Sequence, residues 1–280
     1  MRNFLTHSLY YLLYGNFFVA AAAASLTYVN AQLIGCTDSF SILPSFVFFA
    51  TLFAYNFQRL IRVNNKNTTV SSFRLQWIKK HTKELRLLNV LSVIAMILIG
   101  IQLPYKTLFI LVPAGIISSW YVLSYKQIPA LRSIPFIKVF TIGLIWSTIT
   151  VGLPYFTVPQ TEINLTYFTF TVALFVIFQT IPFDIRDREI DQKSGIKTIA
   201  QKIGLVNSKR LIMVGFILMF VILFFGIRYQ LLPKVGIVYA HASLVALPIC
   251  FRINKNSSEI YYSLVVESIL FLPFIFYVIR

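Results

Sequence analysis

The chain returns repeatedly to apolar stretches of about twenty residues, the length a helix needs to cross a bilayer. Nine such spans are predicted, at 9–29, 42–63, 85–103, 107–125, 136–156, 163–183, 210–229, 232–250 and 260–279. Pro113 and Pro248 fall inside two of them, where a kink is tolerated if neighbouring helices satisfy the backbone. A soluble fold could not hide this much apolar surface. Hydrophobic residues make up 58% of the chain and charged residues only 12%, against about a quarter charged in soluble domains. The 27 Phe and 15 Tyr suit helices that meet acyl chains and the membrane interface. The expectation is an all-α integral membrane protein in which residues 1–280 form one nine-transmembrane-helix bundle without a separate soluble domain.

A net charge of +16 raises the question of nucleic acid, and the distribution of the charge answers it. With the N-terminus inside, only Lys106, Arg228, Lys234 and Arg280 of the 25 Lys and Arg fall in outer segments. All the others fall in inner ones, the bias expected of cytoplasmic loops. The surplus is therefore topology, and the partner it implies is membrane lipid, not nucleic acid. The expected location is a multi-pass protein of the plasma (inner) membrane with its N-terminus and site on the cytoplasmic side. Arg2, the apolar run after it and the small residues Ala20 to Ala24 also have the form of a signal peptide. That run is long for one, so a retained first helix is expected. Cys36 and Cys250 lie far apart in apolar stretches with no metal-binding spacing, and are expected to be inert buried thiols. The two large inner loops, near 59–84 and 184–209, come after the second and sixth spans roughly 128 residues apart, which suggests an internal duplication.

Four of the nine acids fall within eight consecutive residues, Asp184-Ile-Arg-Asp187-Arg-Glu189-Ile-Asp191. Acids at a membrane edge carry an insertion cost, so the cluster calls for a reason. If the sixth helix continues through it, Asp184, Asp187 and Asp191 stand at i, i+3 and i+7 on one face while Glu189 points elsewhere. Three carboxylates on one stripe repel each other unless a cation intervenes. Oxygen ligands without His or Cys favour a hard ion, Mg²⁺ above Ca²⁺, above all where substrate phosphates complete the shell. The neighbouring Arg186, Arg188, Lys193 and Lys197 would attract a polyanion. A solvated loop whose acids and bases pair with one another fits the spacing equally well. Gly195 and Gly204 punctuate the next segment, marking a turn and then a short amphipathic helix.

At these residues the sequence resembles the UbiA superfamily of intramembrane prenyltransferases. The family's second aspartate motif, D-x-x-D-x-x-x-D succeeded by G-x-K-T and a further glycine, is matched by Asp184, Asp187, Asp191, Gly195, Lys197, Thr198 and Gly204. A looser similarity covers Ser124-Tyr-Lys126-Gln-Ile-Pro, Arg132 and Pro135-Phe-Ile-Lys138. The resemblance implies a prenyltransferase that moves an isoprenyl group from its diphosphate to a hydrophobic acceptor, with Mg²⁺ held by Asp184, Asp187 and Asp191 as metal and catalytic residues. The family's first motif, N-D-x-x-D-x-x-x-D after the second span, is degenerate. The chain reads Tyr55-Asn56-Phe-Gln-Arg59-Leu-Ile-Arg62-Val-Asn64, and no acid lies between Asp38 and Glu84.

Two readings are open at this point. Either Arg59 and Arg62 contact the diphosphate directly, with Asn56 and Gln58 adding polar contacts, or the protein has kept the fold, lost the chemistry, and serves as an isoprenoid-binding or scaffold membrane protein. Guanidinium geometry suits phosphate oxygens. The substrate-binding set expected is Asn56, Arg59, Arg62, Lys126, Gln179 and Lys197. Glu267 and His241 lie inside spans, as cavity-lining groups or as partners of a neighbouring helix. Tyr121 and Tyr125 read as interface aromatics, with cation-stabilising aromatics of the site as the alternative.

Overall fold

The computed structural model describes residues 2–36, 42–64, 72–158, 162–193, 195–254 and 256–280. Asp38, Lys66 and Lys255, charged residues of the predicted loops, lie outside them. The chain runs through α1 (Arg2–Tyr14), α2 (Phe17–Ile34), α3 (Ile42–Asn64), α4 (Phe73–Lys80), α5 (Thr82–Gly100) and α6 (Leu108–Val122). It continues through α7 (Lys138–Ser147), the short α8 (Leu153–Tyr155), α9 (Leu165–Arg186) and α10 (Arg188–Lys193). It closes with α11 (Ile199–Arg228), α12 (Val238–Phe251) and α13 (Leu272–Val278). Among the described residues there is no β-strand, only an isolated bridge between Tyr125 and Ile128.

Among the described residues five stretches are long and apolar enough to cross a membrane: Phe17–Ile34, Tyr105–Val122, Leu165–Arg186, Ile199–Arg228 and Tyr261–Val278. The expected division into nine uniform helices is not reproduced, and the reason is local. The first expected span breaks at Gly15–Asn16, where Asn16 takes a left-handed φ of 64°. The fifth passes through a π-helical turn, Thr148–Gly152, between α7 and α8. The last winds from a π-helical stretch, Tyr261–Val266, through a 3₁₀ stretch, Glu267–Phe271, into α13. The inner end of α3 carries Gln58, Arg59 and Arg62, and α5 opens on Lys83, Glu84 and Arg86, so neither is apolar throughout.

Each break is held by a polar side chain, as a dry interior demands. Asn56 of α3 donates to the Gly15 carbonyl at 2.9 Å and accepts from the Asn16 amide at 2.8 Å, spanning the gap between α1 and α2. Asn30 of α2 donates to Thr150 Oγ1 in the π turn at 3.3 Å and accepts from the Tyr239 hydroxyl at 2.6 Å. Gln179 of α9 donates to the Val266 carbonyl at 3.3 Å, where the last segment changes from π to 3₁₀ winding.

α2 occupies the centre, packed against α3, the π turn and the last segment, while α9 packs between α7 and α11. The outside is apolar: Leu87, Leu91, Ile94 and Leu98 on α5, and Val214, Ile217, Val221 and Phe224 on α11, are all exposed at helical spacing. Such continuous apolar faces need lipid as their solvent. Cys36 and Cys250 are buried thiols, as expected.

The α7–α9 contact is tight enough to require glycine. A Cβ at Gly143 would lie 2.5 Å from Ile177 Cγ1 and 3.0 Å from the Ala173 carbonyl oxygen. Gly143→Val should therefore separate the two helices that carry the site and cost about 1–3 kcal/mol. A lowered thermal-unfolding midpoint of the detergent-solubilised protein would register this.

Candidate functional site

The aspartate segment stays helical through almost its whole length. α9 ends at Arg186, Asp187 caps it with φ −85° and ψ 5°, and α10 begins at Arg188. The backbone hydrogen bonds Asp187 N to Phe183 O, 2.9 Å, and Asp191 N to Asp187 O, 2.8 Å, carry the path across this joint. The three aspartates are buried, with 1%, 7% and 2% exposure for Asp184, Asp187 and Asp191, while Glu189 is exposed. Gly195, at φ 71°, then turns the chain. Thr198 and Gln201 form a capping box that starts α11. Gly204, at φ 78°, kinks that helix after one short turn, as its glycine suggested.

Fixed side-chain cations separate the three carboxylates. The Lys138 ammonium, at the start of α7, stands 2.8 Å from Asp184 Oδ1 and 2.8 Å from Asp191 Oδ2. The contact to Asp191 is a hydrogen bond; that to Asp184 is an ion pair off the hydrogen-bonding direction. Asp187 faces two guanidiniums. Arg186 Nε and Nη2 donate to its two oxygens at 2.8 and 3.0 Å, and Arg74 Nη2 of α4 lies 3.5 Å away. Arg186 also lies over the rings of Phe183, at 4.9 Å, and Tyr262, at 5.9 Å. Burial pushes the Asp187 carboxyl up, but Arg186 and Arg74 outweigh it and hold it well below the usual carboxylate range. Burial, and then the neighbouring Arg186, lower the Arg74 guanidinium from its ordinary value.

These groups border a cavity of about 730 Å³, within the range typical of small-molecule sites. Its basic lining comes from five directions: Arg59 and Arg62 of α3, Arg74 of α4, Arg132 and Lys138 before and at the start of α7, Arg186 of α9 and Lys193 of α10. Asp187, Asp191 and Glu267 are its acids. Val19, Ile142, Val176 and Leu270 supply apolar wall, and Tyr14, Tyr55, Tyr121 and Trp146 supply aromatic wall. The cavity thus combines cationic groups with apolar and aromatic ones, the two surfaces that an amphiphile with an anionic head requires.

Several sequence expectations meet here and others do not. Arg59, Arg62, Gln179, Asp187 and Asp191 line the cavity, and Asp184 lies beside it, paired to Lys138. Asn56 does not: its amide is spent on the α1–α2 break and it is fully buried. Lys126 and Lys197 are exposed and outside the lining; Lys126 reaches over the Tyr125 ring at 5.3 Å. What Lys197 contributes is backbone, its carbonyl accepting from Phe136 N at 3.0 Å. Of the two tyrosines read as interface or cation-stabilising aromatics, Tyr121 is buried in the cavity wall and Tyr125 is exposed. Glu267 faces the cavity; His241 is exposed and packs against Phe276. Arg74 gave no sequence signal, being one of many inner-loop bases; only folding brings α4 against Asp187.

A magnesium cage does not fit this donor set. Among the described residues no three His, Cys, Asp or Glu side chains converge to hold a metal ion. Octahedral Mg²⁺ needs oxygens at about 2.0–2.1 Å, and the oxygens of Asp184 and Asp191 that face each other close on the Lys138 ammonium instead. The expectation that Asp184, Asp187 and Asp191 are metal ligands rested on the family motif and on the need for a cation among three carboxylates, and Lys138, Arg74 and Arg186 supply that charge.

The fold is thus a helical membrane fold enclosing a cavity lined by basic, apolar and aromatic side chains. The sequence profile of the UbiA prenyltransferase family matches residues 79–261, and the chain belongs to that family. Two solved structures of a UbiA homolog from Archaeoglobus fulgidus, one bound to GPP and Mg²⁺ and one to DMAPP and Mg²⁺, share the fold. Each has a TM-score of 0.69 at 13% identity, over 96% of this chain and 98% of that one. A structure of digeranylgeranylglyceryl phosphate synthase aligns over 100% of this chain and 98% of that one, with a TM-score of 0.56 and 15% identity. No curated protein matches the sequence.

Replacing Asp187 by Asn would leave two buried guanidiniums without their countercharge, a loss on the order of 3–5 kcal/mol at neutral pH. Because its carboxyl is held below the unfolded value of about 3.9, the stabilisation is complete above that pH and is lost as pH falls beneath it. Unfolding midpoints of wild type and Asp187→Asn should differ at neutral and mildly acidic pH and converge only in stronger acid.

Proposed function

We propose that this protein is an intramembrane prenyltransferase that takes an isoprenyl diphosphate into the cavity and transfers the isoprenyl group to a hydrophobic acceptor. The observation that carries the reading is the cavity's double character, seven basic side chains together with an apolar and aromatic wall. A diphosphate head and an isoprenyl tail ask for both at once.

The chemistry can be derived from that lining. The bond between C1 of the isoprenyl group and the diphosphate oxygen breaks, and its electron pair leaves with the oxygen. Arg59 and Arg62 meet the charge that develops on the leaving group, as preorganised donors do. The allylic cation left behind is held against Tyr55 and Trp146, whose ring faces favour positive charge. Apolar walls keep water from capturing it. A nucleophilic carbon or oxygen of the acceptor forms the new bond to C1 and gives up its proton, for which Glu267 is the acid–base group in the lining. Gln179 keeps Glu267 in reach by pinning the turn that carries it, through the Val266 carbonyl. The clustering of basic residues in the inner segments supports a cytoplasmic-side cavity in a multi-pass membrane protein.

The second reading, an isoprenoid-binding or scaffold protein on this fold, is favoured by one observation, the absence of any acid from the end of α3. Turnover separates the two. Purified protein in lipid nanodiscs, given geranyl diphosphate and a membrane lipid extract, should release diphosphate and form a prenylated lipid. Arg59→Gln should slow release by about a hundredfold, the scale of losing one transition-state donor. Binding of geranyl diphosphate with no release in any extract would instead establish the scaffold reading.

A further inference from the structure

We propose that fixed arginine and lysine side chains hold the diphosphate in place of a divalent metal, so that binding needs no Mg²⁺. This rests on the diphosphate reading above and concerns how the head group is held. Three observations carry it. The side of the cavity formed by α3 brings Arg59 and Arg62 and no carboxylate that could share a metal. On α9, α10 and the joint between them every aspartate is already paired: Asp184 and Asp191 with Lys138, and Asp187 with Arg186 and Arg74. A metal entering between Asp184 and Asp191 would have to expel an ammonium 2.8 Å from both. Finally, Arg59, Arg62, Arg132 and Lys193 line the cavity and make no ion pair among the described residues, so four cations remain after the aspartates are matched.

Those four are suited to a diphosphate. Guanidiniums stay charged and present donors in a planar fork that phosphate oxygens accept in pairs. They come from α3, from the segment before α7 and from α10, so an anion between them would be gripped from several sides. Even with Glu267 in the lining, the cations left after the aspartates are matched outnumber the acids, so they repel one another, and a polyanion relieves that repulsion. The aspartates on this view are not ligands. They position Lys138, Arg74 and Arg186, which would otherwise add further unmatched charge to the cavity.

The test is calorimetric titration of the full-length protein in nanodiscs with inorganic diphosphate, in EDTA and in excess Mg²⁺. Affinity in EDTA should lie within a few-fold of that in Mg²⁺. Arg59→Gln combined with Arg62→Gln should weaken it about ten- to a hundredfold, while Lys126→Gln, outside the cavity, leaves it unchanged. Binding lost on chelation, or strengthened more than tenfold by Mg²⁺, overturns the inference even if prenyl transfer is observed. Binding in EDTA without any diphosphate release from geranyl diphosphate keeps the inference and removes the transferase reading. Absence of binding under both conditions removes both.

Discussion

An ammonium group shared between two buried carboxylates holds the working end of this protein together. Lys138 begins α7, Asp184 lies in the last turn of α9 and Asp191 sits in α10, and the two 2.8 Å contacts fix all three elements at one point. Asp187 does the same on the other side, drawing in Arg186 from its own helix and Arg74 from α4. Charges this deeply buried are tolerated only when matched, so removing one member strands its partner. The pairing is therefore both a structural clasp and the device that sets which cations face the cavity.

Helix irregularity makes room for that cavity. Regular helices packed side by side fill their interior, whereas this bundle breaks α1 from α2, bulges after α7 and changes winding twice before α13. Each irregularity frees backbone groups that lipid cannot satisfy. Asn56 and Gln179 satisfy backbone carbonyls at two of these places, Gly15 and Val266, and Asn30 ties the third through the Thr150 side chain. The last segment turns one face to the cavity, to which Ser263, Glu267 and Leu270 all contribute.

The outline of the fold was legible because lipid imposes a simple rule on sequence: long apolar runs separated by basic segments. The aspartate segment was legible too, since spacing alone put Asp184, Asp187 and Asp191 on nearly one face. What misled was the assumption that a polar residue beside the site serves the site. Asn56 matches the one surviving position of a family motif, yet its amide is consumed by the chain break in front of α2. Lys126 and Lys197 sit in the right inner segments and stay exposed, outside the cavity lining. Arg74 was invisible for the opposite reason, one base among many in a polar loop until α4 folds against Asp187.

By itself the sequence determined an α-helical membrane protein, the positions of its basic segments, and a family membership carried by one aspartate motif. Those properties are local or compositional, set by helix period, hydrophobicity and the cost of charge in lipid. Which cation answers which carboxylate was decided only by tertiary structure. Lys138 and Asp184 are far apart in the chain, and Coulomb attraction between them gains its strength from being buried together. That juxtaposition exists only once α7 and α9 have packed, with Gly143 against Ala173.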